Sequence, residues 1–237
     1  MTFNFSYLSV AALCFFTASV KSQSHNASEI IFLHLNATSK KPWQELQTII
    51  EHGKTIYPDS SIVSWEKLKS GSQKSILSFI DNGKHKIVGE NEQQIWRLVN
   101  NELVKTPKLF SSALSKFNYS FALSRADFEN SSLFYLRDTT ISNSKYHIIQ
   151  FNEENDMDIR FIFINDKTYR LEFIEVKGRF PEWIQFTDFR WVDGYLFPFA
   201  EISYIKKDLK YETSISYIKI NSPIESRIFE CEGCSAH

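Results

Sequence analysis

The chain has 237 residues, a formal net charge of −1 and aromatic side chains at 15% of its positions, 21 of them Phe. So balanced a charge removes the electrostatic case for binding nucleic acid or an anionic membrane surface. With 7 Gly and 6 Pro against that many rings, the composition points to a ring-rich core or an apolar cavity, in one large all-β domain or two small ones.

Residues 1–22 read as an export signal. Tyr7 to Ala18 is an apolar stretch too short for the ~20 residues that span a bilayer. Val20-Lys21-Ser22 places small residues at the −3 and −1 positions of a cut before Gln23. The segment before the apolar stretch, "MTFNFS", carries no Lys or Arg, and a buried N-terminal strand is the competing reading. Cys14 in "AALC" lies where a lipoprotein signal has its cysteine, but Leu13 occupies the position that needs a small residue, which argues against a lipid anchor. Past the cut only Cys231 and Cys234 remain, and one short Cys-x-x-Cys cannot staple a fold of this size.

Two short helices open the mature chain. Ser28 is placed to cap the first, with Ile30, Ile31 and Leu35 inward. Pro42 suits the first turn of the second, which carries Trp43 and Leu46. Residues 47–57 fit a helix by their apolar spacing and a strand by their β-branched content. The strand is preferred, with Gly53 as a bulge. "SIVSWEKLKS" and "KSILSFIDNGKHKIVGE" alternate around an Asn82-Gly83 hairpin turn. "QQIWRLVNNELVK" is a second hairpin, turning near Asn100-Asn101. Thr106-Pro107 is placed to start a helix bearing Phe110, Ala113, Leu114 and Phe117.

Strands then follow at roughly 119–124, 132–138, 145–152, 157–165, 168–176, 182–191, 195–206 and 209–220. Alternation puts Ile159, Phe161 and Phe163 on one face, as it does Tyr169, Leu171 and Phe173, and again Tyr211, Ile215 and Tyr217. Successive antiparallel strands with one wet face make a meander. With no linker or repeat, one domain over 23–237 is the simplest organisation, with an extended tail at 222–237.

The segment "SEIIFLHLNATSKKPWQELQTI", the tryptophan hairpin "ENEQQIWRLVNN", the strand pair within "SKYHIIQFNEENDMDIRFIFINDKTYRLEFIE", and above all "FTDFRWVDGYLFPF" followed by "YIKINSPIESRIF" resemble the LolA-like superfamily. That superfamily comprises exported outer-membrane lipoprotein-sorting proteins and LppX-like lipid-binding relatives. The likeness covers nearly all of the mature chain. Ser39-Lys40 departs from the Gly-Gly often found there, and "ECEGCSAH" has no counterpart in the family.

The resemblance implies a mainly β fold: an open, strongly curved antiparallel half-barrel closed by short helices over an apolar cavity. It implies a monomeric carrier in the periplasm, or a secreted one in a host without an outer membrane. Its ligands would be lipid or the acyl chains of lipoproteins, exchanged with membrane-bound donor and acceptor proteins. Trp65, Trp96, Phe161, Phe163, Phe173, Phe189, Phe197 and Tyr217 are the candidate cavity residues. The alternative is a non-catalytic structural or interaction protein of the same fold whose concavity is filled by its own rings.

Candidates for chemistry are few. Asp193-Gly194 is the two-residue turn a hairpin wants. Asp188 and Arg190 share one face of a strand and read as a solvated ion pair. Cys231, Cys234 and His237 lack a fourth partner for zinc, so a disulfide in the tail is the preferred reading. Asn26, Asn36, Asn118 and Asn130 begin Asn-x-Ser/Thr sequons, which matter only in a glycosylating host. No nucleophile elbow, phosphate loop or close pair of carboxylates appears. No catalytic residue, metal or cofactor is therefore expected, and a hydrolase assembled from distant residues is the weakest reading.

Overall fold

The computed structural model describes residues 26–71, 74–81, 83–91, 94–99, 102–107, 132–152, 159–177, 181–205 and 208–230. The first described element is helix α1, Ala27–Thr38. Its cap is Asn26, not Ser28: the Asn26 carboxamide accepts from the Ser28 amide at 3.1 Å. The cap lies two residues early because an Asx side chain reaches the second backbone N–H beyond it. Ile30 and Ile31 are buried and Leu35 half-buried, as the spacing predicts. A short 3-10 turn, Trp43–Glu45, follows Pro42.

The remaining elements form one antiparallel sheet. Its strands are β1 Thr48–Ile56, β2 Ile62–Ser70, β3 Lys74–Asp81, β4 Lys84–Glu90, β5 Gln94–Val99, β6 Glu102–Pro107, β7 Ser132–Ile141, β8 Ser144–Asn152, β9 Ile159–Asn165, β10 Leu171–Lys177, β11 Glu182–Val192, β12 Tyr195–Ile205 and β13 Asp208–Ile220. Their order is β6-β5-β4-β3-β2-β1-β13-β12-β11-β10-β9-β8-β7. The first and last strands pair at the centre, and two meanders run outward from that seam. Tight turns make this possible: Gly83 has φ +74, and Asp193 and Gly194 have φ +47 and +93. Positive φ at both central residues matches the right-handed twist of a two-residue hairpin.

Several sequence expectations are corrected. Thr106 and Pro107 close β6 instead of starting a helix. The rest of that expected helix, the strand at 119–124, residues 1–25 and the cysteine tail lie outside the described residues. The stretch expected to run extended from 222 closes into a 3-10 turn at Ser226–Glu230. The register slip expected near Gly53 falls between His52 and Gly53, but the extra residue is Ser216 on the partner strand.

Packed clusters lie on both faces of the sheet. On one face α1 lays Ala27, Ile30 and Ile31 over Ile149, Ile162, Ile164 and Leu171. Burying each Ile is worth about 1.5–3 kcal/mol, more than a helix of this length gains on its own. On the same face Leu46 and Trp43 cover Ile49, Tyr195, Phe197, Phe199, Ile218 and Ile220. Polar contacts fasten this cover to the β11–β12 turn and to α1. Lys40 N donates to Gly194 O at 2.7 Å, Tyr195 Oη donates to Pro42 O at 2.9 Å, and Trp43 Nε1 donates to Leu35 O at 3.1 Å. Ser39, where Gly-Gly is common, is extended at φ −142 and bridges to Tyr195. On the opposite face the terminal 3-10 turn seats Phe229 over Ile76 and Trp96.

Candidate functional site: a hollow with a charged floor

On the same face as α1, β1–β3 and β11–β13 enclose a hollow of about 960 Å³. Phe79 of β3 and Phe186 of β11 both line it. They stand five strand spacings apart, about 24 Å on a flat sheet. One hollow touching both therefore requires the sheet to curl toward α1. Cross-strand register explains which side chains meet there. Phe79 faces Trp65 and Trp65 faces Gly53, which faces Ile215; Val63 faces Thr55 and Thr55 faces Thr213; Glu201 faces Phe186. Gly53 is needed under Trp65, since a Cβ there would sit 2.4 Å from the indole Cζ2.

The walls are apolar: Val63, Trp65, Leu77, Phe79, Phe186 and Ile215. The floor is not. Lys67, Lys69, Glu51 and Glu201 line the same hollow, and Lys67, Lys69 and Glu51 are 8%, 1% and 6% exposed. Lys69 Nζ lies 3.6 Å from Glu51 Oε2, and Tyr211 Oη donates to Glu201 Oε1 at 2.9 Å. Trp65 Nε1 donates to Thr55 Oγ1 at 3.1 Å, which satisfies the indole in place. Burial, with Lys69 alongside, draws the Lys67 ammonium down to about 7 against the opposing pull of Glu51, Glu201 and Glu90. Burial lowers Lys69 as well, opposed by Glu51. Burial raises the Glu201 carboxyl, opposed first by the Tyr211 hydrogen bond and then by Lys67. A low-dielectric floor thus disfavours the charged form of both signs.

Of the eight candidate cavity residues, Trp65 lines this hollow and the other seven lie elsewhere. Trp96 is sealed on the opposite face, 1% exposed, its Nε1 donating to Phe229 O at 3.0 Å. Phe163 and Phe173 pack on that face with Tyr146, Ile148 and Trp183, and Phe161 lies against them with Lys177 Nζ 4.5 Å from its ring centre. Phe197 is on the α1 face but locked into the cluster beneath Leu46. Phe189 stacks under the Arg170 guanidinium at 5.4 Å. Tyr217 is 49% exposed beside His52 on the opposite face.

Two bulges account for the exchanged faces of Phe173 and Tyr217. Leu171 pairs with Ile164 while Phe173 pairs with Phe163, so Glu172 is an extra residue and Leu171 and Phe173 point to opposite sides. Ser216 does the same between Ile215 and Tyr217. A bulge reverses the parity of everything beyond it. Lys67 and Lys69 were missed, although they share parity with Trp65 along β2 and so had to share its face.

The other candidates for chemistry are structural. Arg190 Nε and Nη2 hold Asp188 at 3.0 and 2.5 Å in an exposed ion pair. Asp193 serves its turn and accepts from Lys41 Nζ at 3.1 Å. Among the described residues no group of His, Cys, Asp and Glu is placed to hold a metal, and no helix is long and apolar enough to cross a membrane.

Solved structures share this architecture. A domain from Vibrio parahaemolyticus named for outer membrane lipoprotein sorting superposes with a TM-score of 0.64 at 14% identity, covering 88% of this chain and 99% of its own. A LolA superfamily protein from Nitrosomonas europaea gives 0.63 at 14%, covering 87% and 98%. The chain has a LolA-like fold. A DUF1329 family protein from Desulfovibrio piger shares the same LolA-like arrangement at 0.60 and 11% identity, over 86% of this chain and 95% of its own. No family model matches the sequence, and no curated protein matches it significantly. At such identities the likeness carries the fold alone, and the charged floor is a property of this chain's own residues.

Proposed function

We propose that this LolA-like chain is an exported carrier that takes up acyl chains of lipid or lipoprotein in the hollow on its α1 face. The observation that carries this reading is the hollow itself: about 960 Å³ walled by Trp65, Leu77, Phe79, Phe186 and Ile215, at the upper end of the ~300–1,000 Å³ typical of small-molecule sites. An acyl chain in water costs roughly 0.8 kcal/mol per exposed CH₂, so a curled sheet that hides it makes passage through an aqueous compartment possible. The reading needs no covalent step, no metal and no cofactor. It includes removal of residues 1–22 on export to the periplasm or outside, and exchange of cargo with membrane-bound partners.

Native mass spectrometry of the purified protein, followed by lipid extraction, tests the reading. Co-purifying acyl lipid is expected. A bare protein that also refuses a fluorescent acyl probe would favour the same fold serving as a structural or interaction module. Amino-terminal sequencing of the exported form should begin at or near Gln23, and a mature chain that retains Met1 would remove the export step.

A further inference from the structure

A pocket for bare hydrocarbon gains nothing from buried charges, because each ion withdrawn from water is expensive unless compensated. The floor of this hollow nevertheless carries two ammonium groups, Lys67 and Lys69, within one strand and on one face. Among the groups that bear on Lys67 are Lys69 on its own strand, Glu51 on β1, Glu90 on β4 and Glu201 on β12. They are not equivalent. Glu51 lies 3.6 Å from Lys69. Glu90 accepts from Ser75 Oγ at 3.1 Å. Glu201 accepts from the Tyr211 hydroxyl, and burial favours its protonated form. Asp59, at the rim, is held by Ser61 at 2.6 Å. Glu51 and Glu201 line the hollow beside the two lysines, Glu201 already engaged by Tyr211. Two ammonium groups two residues apart on one face of β2 can converge on a single anionic head. The apolar walls lead away from it along Trp65, Leu77, Phe79 and Phe186.

We propose that the hollow takes an anion-headed amphiphile, carboxylate or phosphate, with its head against Lys67 and Lys69 and its chain along the aromatic wall. The inference rests on the carrier reading and narrows its ligand class. A bound anion would favour the charged form of Lys67, so binding should take up a proton near neutral pH and weaken as pH rises.

The test is displacement of a fluorescent acyl probe from the full chain by four ligands of one chain length: dodecanoate, dodecyl phosphate, dodecanol and dodecyltrimethylammonium. Dodecanoate or dodecyl phosphate should displace at about tenfold lower concentration than dodecanol at pH near 6.5, as expected for charge-assisted bonds in a dry site. The gap should narrow by about pH 9, when an ammonium drawn down toward neutrality is discharged. Which of the two anions binds tighter names the head. Lys67→Met should erase the gap between anion and alcohol, and Lys67→Arg should keep it. Equal displacement by dodecanoate and dodecanol in the parent protein, which depends on no variant folding, would overturn the proposal. So would preference for the trimethylammonium head, which would assign the floor to Glu51 and Glu201. Failure of the probe to bind at all would reject the carrier reading itself.

Discussion

Trp65 and Trp96 use the same device on opposite faces of one sheet. Each lies over a glycine of the neighbouring strand, Gly53 and Gly89, where a Cβ would come within 2.4 and 2.2 Å of the indole. Each donates its Nε1, to Thr55 Oγ1 and to Phe229 O. What differs is the third dimension. Phe229, 1% exposed, closes over Trp96 and turns that region into core. Nothing among the described residues closes over Trp65 in the same way, and its ring faces a hollow floored by Lys67 and Lys69. An aromatic ring set on a sheet glycine therefore shows only that the ring is laid flat. Whether it becomes core or wall depends on a segment far away in sequence.

The largest expected effect breaks this pair apart. Trp96→Ala empties a sealed site and should cost about 3–5 kcal/mol in urea denaturation. Trp65→Ala removes a wall from space that is already open and should cost about 1–2 kcal/mol, mostly lost area, while altering uptake of an acyl probe. Equal destabilisation by the two would mean that the hollow is filled in solution.

Acid should loosen one cover and spare the other. His34 of α1 is 2% exposed, with Nδ1 donating to Tyr169 O at 2.6 Å. Burial draws its imidazole down from 6.5 to about 4, and the Tyr169 bond opposes only part of this. The unfolded chain then binds a proton that the folded one refuses between those values, so stability rises with pH across that window. It is fully present above about 6.5 and lost as pH falls toward 4, by about 3 kcal/mol. Hydrogen exchange should show α1 losing protection near pH 4.5 while β3–β5, under Phe229, keep theirs. His34→Gln should flatten the pH dependence. Uniform loss over both regions would contradict a local origin in α1.

The same contrast holds for ring enlargement. Phe173 is 7% exposed, with its ring centre 5.3 Å from that of Trp183 and 5.4 Å from that of Tyr146. Phe173→Trp should overpack that cluster and cost about 1–3 kcal/mol. Phe79→Trp has the hollow to grow into, so it should leave thermal stability nearly unchanged and obstruct probe uptake instead. Loss of stability in both variants would argue that Phe79 is core.

Much of this architecture was legible because turns announce themselves locally. Gly83, Asp193 and Gly194 have positive φ, and their residue types advertise it; β1 was readable from its β-branched residues. The LolA-like architecture came from resemblance, above all that of the hairpin "FTDFRWVDGYLFPF". The facing of the rings was not legible. "YRLEF" and "SISYI" contain no glycine or proline to mark their bulges, so simple alternation carried Phe173 and Tyr217 to the wrong side. The charged floor was legible in principle. Trp65, Lys67 and Lys69 alternate without a break, so they share a face, but a lysine carries no local mark that its face is buried. Asn26 as cap and Phe229 as lid depended on contacts that local spacing does not announce.

Gly194 supplies the control for the two glycines beneath tryptophan. Gly53 and Gly89 are required for space, whereas Gly194, at φ +93, is required for backbone conformation, and the atoms near its missing Cβ belong to the flexible Lys41 side chain at 3.2 Å. A β-branched residue suffers at positive φ whatever room it has, so Gly194→Val should cost about 1 kcal/mol or more. Lys41→Ala should not relieve that cost, because the strain lies in the chain itself. Asp193, at φ +47, marks the smallest effect. Asn tolerates the same conformation, and what Asp193→Asn removes is an ion pair with Lys41 whose side chains are 44% and 62% exposed. Exposed pairs of this kind are worth about 0–1 kcal/mol. The variant should therefore match the parent in denaturation midpoint within error and in probe uptake. A folded Asp193→Asn protein that had lost ligand uptake would show that this turn does more than join β11 to β12.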